Sequence, residues 1–142
     1  MNEPLSHNNL SAVVSFEGSL EKLHSCLKAL DPWIPQIVIV LSKDKNTKNT
    51  KNKIADNFKV AVCNKRILST KSRWEAGLKK VNTPWVLLIR SNEIVTGQLR
   101  KVITEKIKTN GDRPYKYKLP LVMVFLKKRL KYFIDWKGSQ PS

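Results

Sequence analysis

A chain of 142 residues is one ordinary domain's worth of polypeptide, and 41% hydrophobic with 27% charged residues excludes wholesale disorder and allows one real core. Lys and Arg number 27 against 11 Asp and Glu, a formal net charge of +16, which points to an anionic partner without choosing among nucleic acid, lipid head groups and a sugar nucleotide. The leader lacks the apolar core of a signal peptide, and no run approaches the roughly 18 apolar residues of a membrane span, so a cytoplasmic protein is expected, soluble or peripheral at the inner face of the membrane.

In chain order, residues 1–9 read as a disordered polar leader containing His7. Leu10-Ser-Ala-Val-Val-Ser15 reads as a buried strand. Gly18 and Ser19 supply a turn and a helix cap. Leu20, Leu23, Leu27 and Leu30 then recur at helical spacing, and Asp31-Pro32 ends that helix because the residue before proline is pushed out of the α region. Gln36-Ile-Val-Ile-Val-Leu41 is a continuous β-branched run, as in a strand covered on both faces of a parallel sheet.

Residues 42–52 are polar, lysine-rich and without periodicity, which predicts a mobile loop entering a short helix over 51–57. A third strand is predicted over 58–63. Thr70 or Ser72 is the expected cap of a helix reaching Val81, with Trp74, Leu78 and Val81 on one face. Pro84-Trp-Val-Leu-Leu-Ile89 reads as a fourth strand. Leu99, Val102, Ile103 and Ile107 mark a helix over 96–108.

This alternation implies βαβ units and a mostly parallel sheet with right-handed crossovers. Ligands of such sheets sit beyond the carboxyl ends of the strands, which singles out 15–18, 41–44, 64–73 and 90–93. Cys26 and Cys63 belong to no CxxC pair and read as buried free thiols of a reducing compartment, with a disulfide between them as the alternative. His24 reads as a surface or structural histidine, and Trp33, Trp74 and Trp85 as core. The stretch Ser42-Lys-Asp-Lys-Asn-Thr47 has no glycine with which to wrap a phosphate, so a solvated lysine loop is expected.

The last third, residues 111–137, is a basic aromatic segment followed by a tail over 138–142. Tyr115, Tyr117 and Leu119 alternate with Lys116 and Lys118, as on a half-buried strand. Three readings stand for residues 116–137. It is the solvated face of a final helix. Or it is a seat on an anionic membrane, with Phe125, Leu126, Leu130, Phe133 and Trp136 dipping in while Lys127, Lys128, Arg129 and Lys131 meet head groups. Or it is a nucleic-acid contact through charge and stacking, for which no zinc-finger or RRM fingerprint is visible.

Over residues 10–110 the order and spacing resemble the family 2 glycosyltransferases of the GT-A fold, in particular the bacterial branch that builds lipopolysaccharide cores. Ser15-Phe-Glu-Gly18 followed by Leu23-His-Ser-Cys-Leu-Lys-Ala-Leu30 is similar to that family's opening strand, turn and helix. Gln36-Ile-Val-Ile-Val-Leu-Ser-Lys-Asp-Lys-Asn46 is similar to its second strand, and Arg73-Trp-Glu-Ala-Gly-Leu78 to a later helix start. Trp85-Val-Leu-Leu-Ile-Arg-Ser-Asn-Glu93 is similar to its Asp-x-Asp segment, and Phe125-Leu-Lys-Lys-Arg-Leu130 is a faint echo of a later aromatic one.

The resemblance implies a three-layer α/β sandwich of the nucleotide-diphospho-sugar transferase type, incomplete on its C-terminal side. It implies a donor pocket of Ser15, Glu17, Ser42, Arg73, Arg90, Asn92 and Glu93, a sugar nucleotide as partner, and transfer to a lipid-linked saccharide. The departures imply a degenerate site. Leu41 stands where the family grips the nucleoside with aspartate, and Arg90 and Asn92 stand where two aspartates hold a divalent metal. Arginine does not ligate, so no metal cofactor is expected unless Asn92 and Glu93 suffice for Mg²⁺ or Mn²⁺. Either metal chemistry is lost, or Arg90, assisted by Arg73 and Lys43, neutralises the diphosphate itself. The competing class is a non-enzymatic basic binding module. A plain strand-end turn remains the alternative for Arg90-Ser-Asn-Glu93.

Overall fold

A computed structural model describes residues 10–43, 47–54, 58–63, 69–110, 116–118 and 123–126. The leader with His7, the basic run Lys127, Lys128, Arg129 and Lys131, and the tail lie outside the described residues.

Four parallel strands form most of the sheet: β1 (Leu10–Ser15), β2 (Gln36–Ser42), β3 (Lys59–Cys63) and β4 (Trp85–Arg90). Between them run α1 (Leu20–Leu30), α2 (Thr47–Asn52) and α3 (Thr70–Leu78), and α4 (Gly97–Asn110) follows β4. Two short strands, β5 (Lys116–Lys118) and β6 (Met123–Leu126), complete a six-stranded sheet in the order β3-β2-β1-β4-β6-β5. β6 runs antiparallel to β4, and β5 antiparallel to β6.

The apolar runs are continuous because both faces of the sheet are covered. Ala12, Val14, Ile37, Ile39, Leu41, Leu87 and Ile89 share one core with Leu23, Cys26, Leu27 and Leu30 of α1 and Ile103 and Ile107 of α4. Val13, Val38, Val40, Ala61, Cys63, Val86 and Leu88 share the other with Leu78 of α3 and with Val81. This is the expected α/β architecture with helices on both faces. Cys26 and Cys63 are buried in opposite layers, both as free thiols. Trp33 and Trp85 are core, Trp74 packs half-buried against the second layer, and His24 is exposed.

Several boundaries differ from the sequence expectation, each for a local reason. Ser69, rather than Thr70 or Ser72, caps α3: its Oγ accepts from the Ser72 backbone N–H at 3.0 Å. The short second helix starts at Thr47, where the Thr47 hydroxyl donates to the Ser42 carbonyl at 2.8 Å, and it ends at Asn52 rather than spanning 51–57. Its sequence shows no periodicity because it buries no residue. The final-helix reading of 116–137 is overturned where the chain is described, since 116–118 and 123–126 are strands paired through to β4. That pairing covers an edge that β4 would otherwise leave open.

Candidate active site at the carboxyl ends of β1, β2 and β4

Parallel register gathers three strand ends at one edge: Ser15 of β1 lies opposite Val40 of β2 and opposite Arg90 of β4. The turn after β1 is bound to the turn after β4. The Glu17 N–H donates to Ser91 Oγ at 2.7 Å, the Ser91 hydroxyl donates to the Glu17 carbonyl at 2.6 Å, and the Ser91 N–H donates to the Ser15 carbonyl at 2.9 Å. Gly18 follows at φ 94°, a conformation glycine adopts without the steric cost of a Cβ.

Arg73, which α3 projects over these ends, is the hub. Its Nε donates to Ser15 Oγ at 2.7 Å, its Nη1 to Ser42 Oγ at 2.8 Å, and its Nη2 to Glu17 Oε2 at 3.3 Å. Glu17 Oε2 also accepts from Ser15 Oγ at 2.9 Å and from the Thr70 hydroxyl. Burial alone would raise the Glu17 pKa, but the hydrogen bonds from Thr70, Ser15 and Arg73, with the Arg73 charge, outweigh it and hold the carboxyl below its ordinary value. Glu17 is therefore ionised at neutral pH.

Arg90 makes a second, separate pair. Its Nε and Nη2 donate to Glu93 Oε2 at 3.2 and 2.9 Å, while its own backbone N–H donates to Glu93 Oε1 at 3.0 Å. The side-chain hydrogen bonding to Glu93 and the Glu93 charge raise the Arg90 pKa further. Asn92 is exposed and Glu93 half-buried. The Cys26 thiol donates toward the Arg90 carbonyl at 3.9 Å, and burial and the Glu93 charge push its pKa up to about 12.

Of the residues expected in the donor pocket, Ser15, Glu17, Ser42 and Arg73 thus form one connected cluster. Arg90 and Glu93 pair beside it, and Asn92 stands apart from both. At the end of β4 the guanidinium of Arg90 and the amide of Asn92 flank Ser91, and both Glu93 oxygens are already accepting from Arg90.

A cleft of about 530 Å³ opens beside the cluster, lined by Phe16, Gly18, Leu20 and Leu41 on its apolar side and by Ser42, Thr47, Asn49, Thr50 and Lys53 on its polar side. Ser42 belongs to both cleft and cluster. Sequence reasoning missed the parts of Thr70 and Ser91, and it missed the contribution of α2 to the cleft wall. Lys43, expected to assist at a phosphate, is exposed directly after β2.

No protein-family model matches the chain, and no curated protein matches it in sequence. Solved structures do match. A mannosyltransferase from Pyrobaculum calidifontis in complex with GDP-Man and Mn²⁺ superimposes with a TM-score of 0.67 at 11% identity, over 94% of this chain and 47% of that one. The 4-diphosphocytidyl-2C-methyl-D-erythritol synthase from Anaerococcus prevotii gives 0.68 at 15% identity, over 99% and 82%. S. aureus TarS in complex with UDP-GlcNAc gives 0.59 at 16% identity, over 88% and 47%. The chain spans about half the length of the mannosyltransferase and TarS structures. At these identities the likeness establishes the fold: an α/β sheet of the GT-A kind, shared by sugar-nucleotide transferases and nucleotidyltransferases.

Proposed function

We propose that this chain is a glycosyltransferase-like domain that binds a sugar nucleotide without a divalent metal, its transfer chemistry degenerate. The observation that carries the reading is the Arg90–Glu93 pair at the carboxyl end of β4, where the family resemblance places metal-binding carboxylates. The adjoining cleft has an apolar wall suited to a base and a polar rim suited to a ribose. Several of the similar structures are complexes with GDP-Man, UDP-GlcNAc or UDP, which supports a sugar nucleotide as the ligand class.

The finer reading is a relative of the family 2 enzymes that transfer a sugar to a lipid-linked saccharide in cell-envelope glycan synthesis. It rests on the motifs around Ser15, Arg73 and Trp85–Arg90. The charge of +16 supports peripheral contact with an anionic membrane at the cytoplasmic face, where such an acceptor would be met. The same charge supports the competing reading, a basic module with no nucleotide site.

Calorimetric titration with UDP, with and without Mn²⁺, tests the proposal. The expected result is binding of equal strength in both. Tightening by Mn²⁺ of more than about tenfold refutes the metal-free site, and no UDP binding in either condition favours the basic module.

A further inference from the structure

The cleft and the cluster share Ser42, but the cluster is already filled. Three donors converge on one oxygen, Glu17 Oε2: the hydroxyls of Ser15 and Thr70 and the Nη2 of Arg73. The Arg73 side chain is only 12% exposed and that of Glu17 21%. Two hydroxyls and a guanidinium aimed at a single point are the donor set that binds an anionic phosphoryl oxygen. Here the chain supplies that oxygen itself, from a residue two positions past β1. The hold is one-sided, since all three donors reach the carboxylate through Oε2.

We infer that Glu17 is a resident carboxylate occupying a phosphate seat formed by Arg73, Thr70 and Ser15, and that a phosphate-bearing ligand binds there by displacing it. The inference rests on the sugar-nucleotide reading for the identity of the ligand, whose nucleoside would lie in the adjoining cleft. It gives that ligand an order of parts, with the phosphates directed to Arg73 on the α3 side of the strand ends. It also separates the two arginine pairs. Arg90 is 47% exposed in its side chain and held by the residue three positions on, whereas Arg73 is enclosed and held across the fold.

Titration with inorganic pyrophosphate tests the seat, using the wild-type chain, Glu17→Ala, Glu17→Gln and Glu21→Gln. Glu21 is an exposed carboxylate in the first turn of α1 and serves as the control for the loss of a nearby charge. Glu17→Ala is expected to tighten pyrophosphate binding about tenfold or more, with Glu17→Gln in the same direction and Glu21→Gln within about twofold of wild type. If both Glu17 variants stay within about twofold, or if Glu21→Gln equals them, the proposal is overturned, because a general change of field then explains the result. Should Glu17→Ala lose its cooperative melt, Glu17→Gln decides alone. Uridine, which carries no phosphate, is titrated in parallel. Its failure to bind counts against the nucleotide cleft, while the pyrophosphate comparison still judges the seat.

Discussion

Arg73 gathers more of the site than any neighbouring side chain. It is the only described residue whose side chain bonds at once to the end of β1, the end of β2 and the turn that follows β1. Its removal leaves Glu17 half-buried without its counter-charge and Ser42 without its donor. A partly buried charged hydrogen bond contributes about 1.5–3 kcal/mol, and some of the loss is recovered by water at this partly exposed position. Arg73→Ala is therefore expected to destabilise the domain by about 2–3 kcal/mol in urea unfolding. Arg73→Lys should recover less than half of that, because one ammonium cannot span three acceptors fixed in a fork. A change below about 0.5 kcal/mol for Arg73→Ala would show that the three bonds are no better than those to water.

At the scale of elements, the sheet was legible and the site only in part. A continuous β-branched run marked β2 and largely apolar runs marked β1 and β4, because burial on both faces leaves no polar alternation to confuse with a helix. Strand ends then followed, and with them Ser15, Glu17, Ser42 and Arg90. What could not be read was which partner each polar residue takes. Ser69, Thr70 and Ser72 all carry cap-competent hydroxyls within four positions. The choice of Ser69 is set by how α3 must sit on the sheet, which frees the Thr70 hydroxyl for Glu17. Likewise α2 carries no apolar stripe to betray it, and its place in the cleft wall is visible only in three dimensions.

How α3 must sit is decided at Gly77. A Cβ there would lie 2.5 Å from Val13 Cγ1 and 2.7 Å from Val40 Cγ2, both in stiff β-branched side chains of the central strands. The absent side chain lets the helix approach β1 and β2 closely enough for Arg73, one turn earlier, to reach Ser15 and Ser42. Gly77→Ala gains about 1 kcal/mol of helix propensity but forces overpacking that costs typically about 1–3 kcal/mol, so a net loss is expected in thermal or urea unfolding. Uridine and UDP affinities should fall with it, since the lifted helix carries Arg73 away. A more stable Gly77→Ala protein with unchanged binding would mean that the close approach does not position the site.

For the molecule as a whole, the charge is unevenly assigned. The two arginines at the strand ends are each matched by a glutamate, Arg73 by Glu17 and Arg90 by Glu93, so the excess of +16 resides away from them. Four of those charges fall together in Lys127, Lys128, Arg129 and Lys131, directly after the strand β6 that closes onto β4. A basic residue near an anionic lipid surface contributes about 1 kcal/mol, so four act together as about a thousandfold in partition at low salt. Replacing all four by glutamine should lower sedimentation with phosphatidylserine-containing vesicles by roughly that factor, and raised salt should mimic the effect on the wild-type chain. UDP affinity should be unchanged on the reading proposed above, in which the membrane contact and the nucleotide site are separate. Vesicle binding that survives the substitution would move the anionic contact to the lysines elsewhere on the surface. A parallel loss of UDP binding would join the two sites into one.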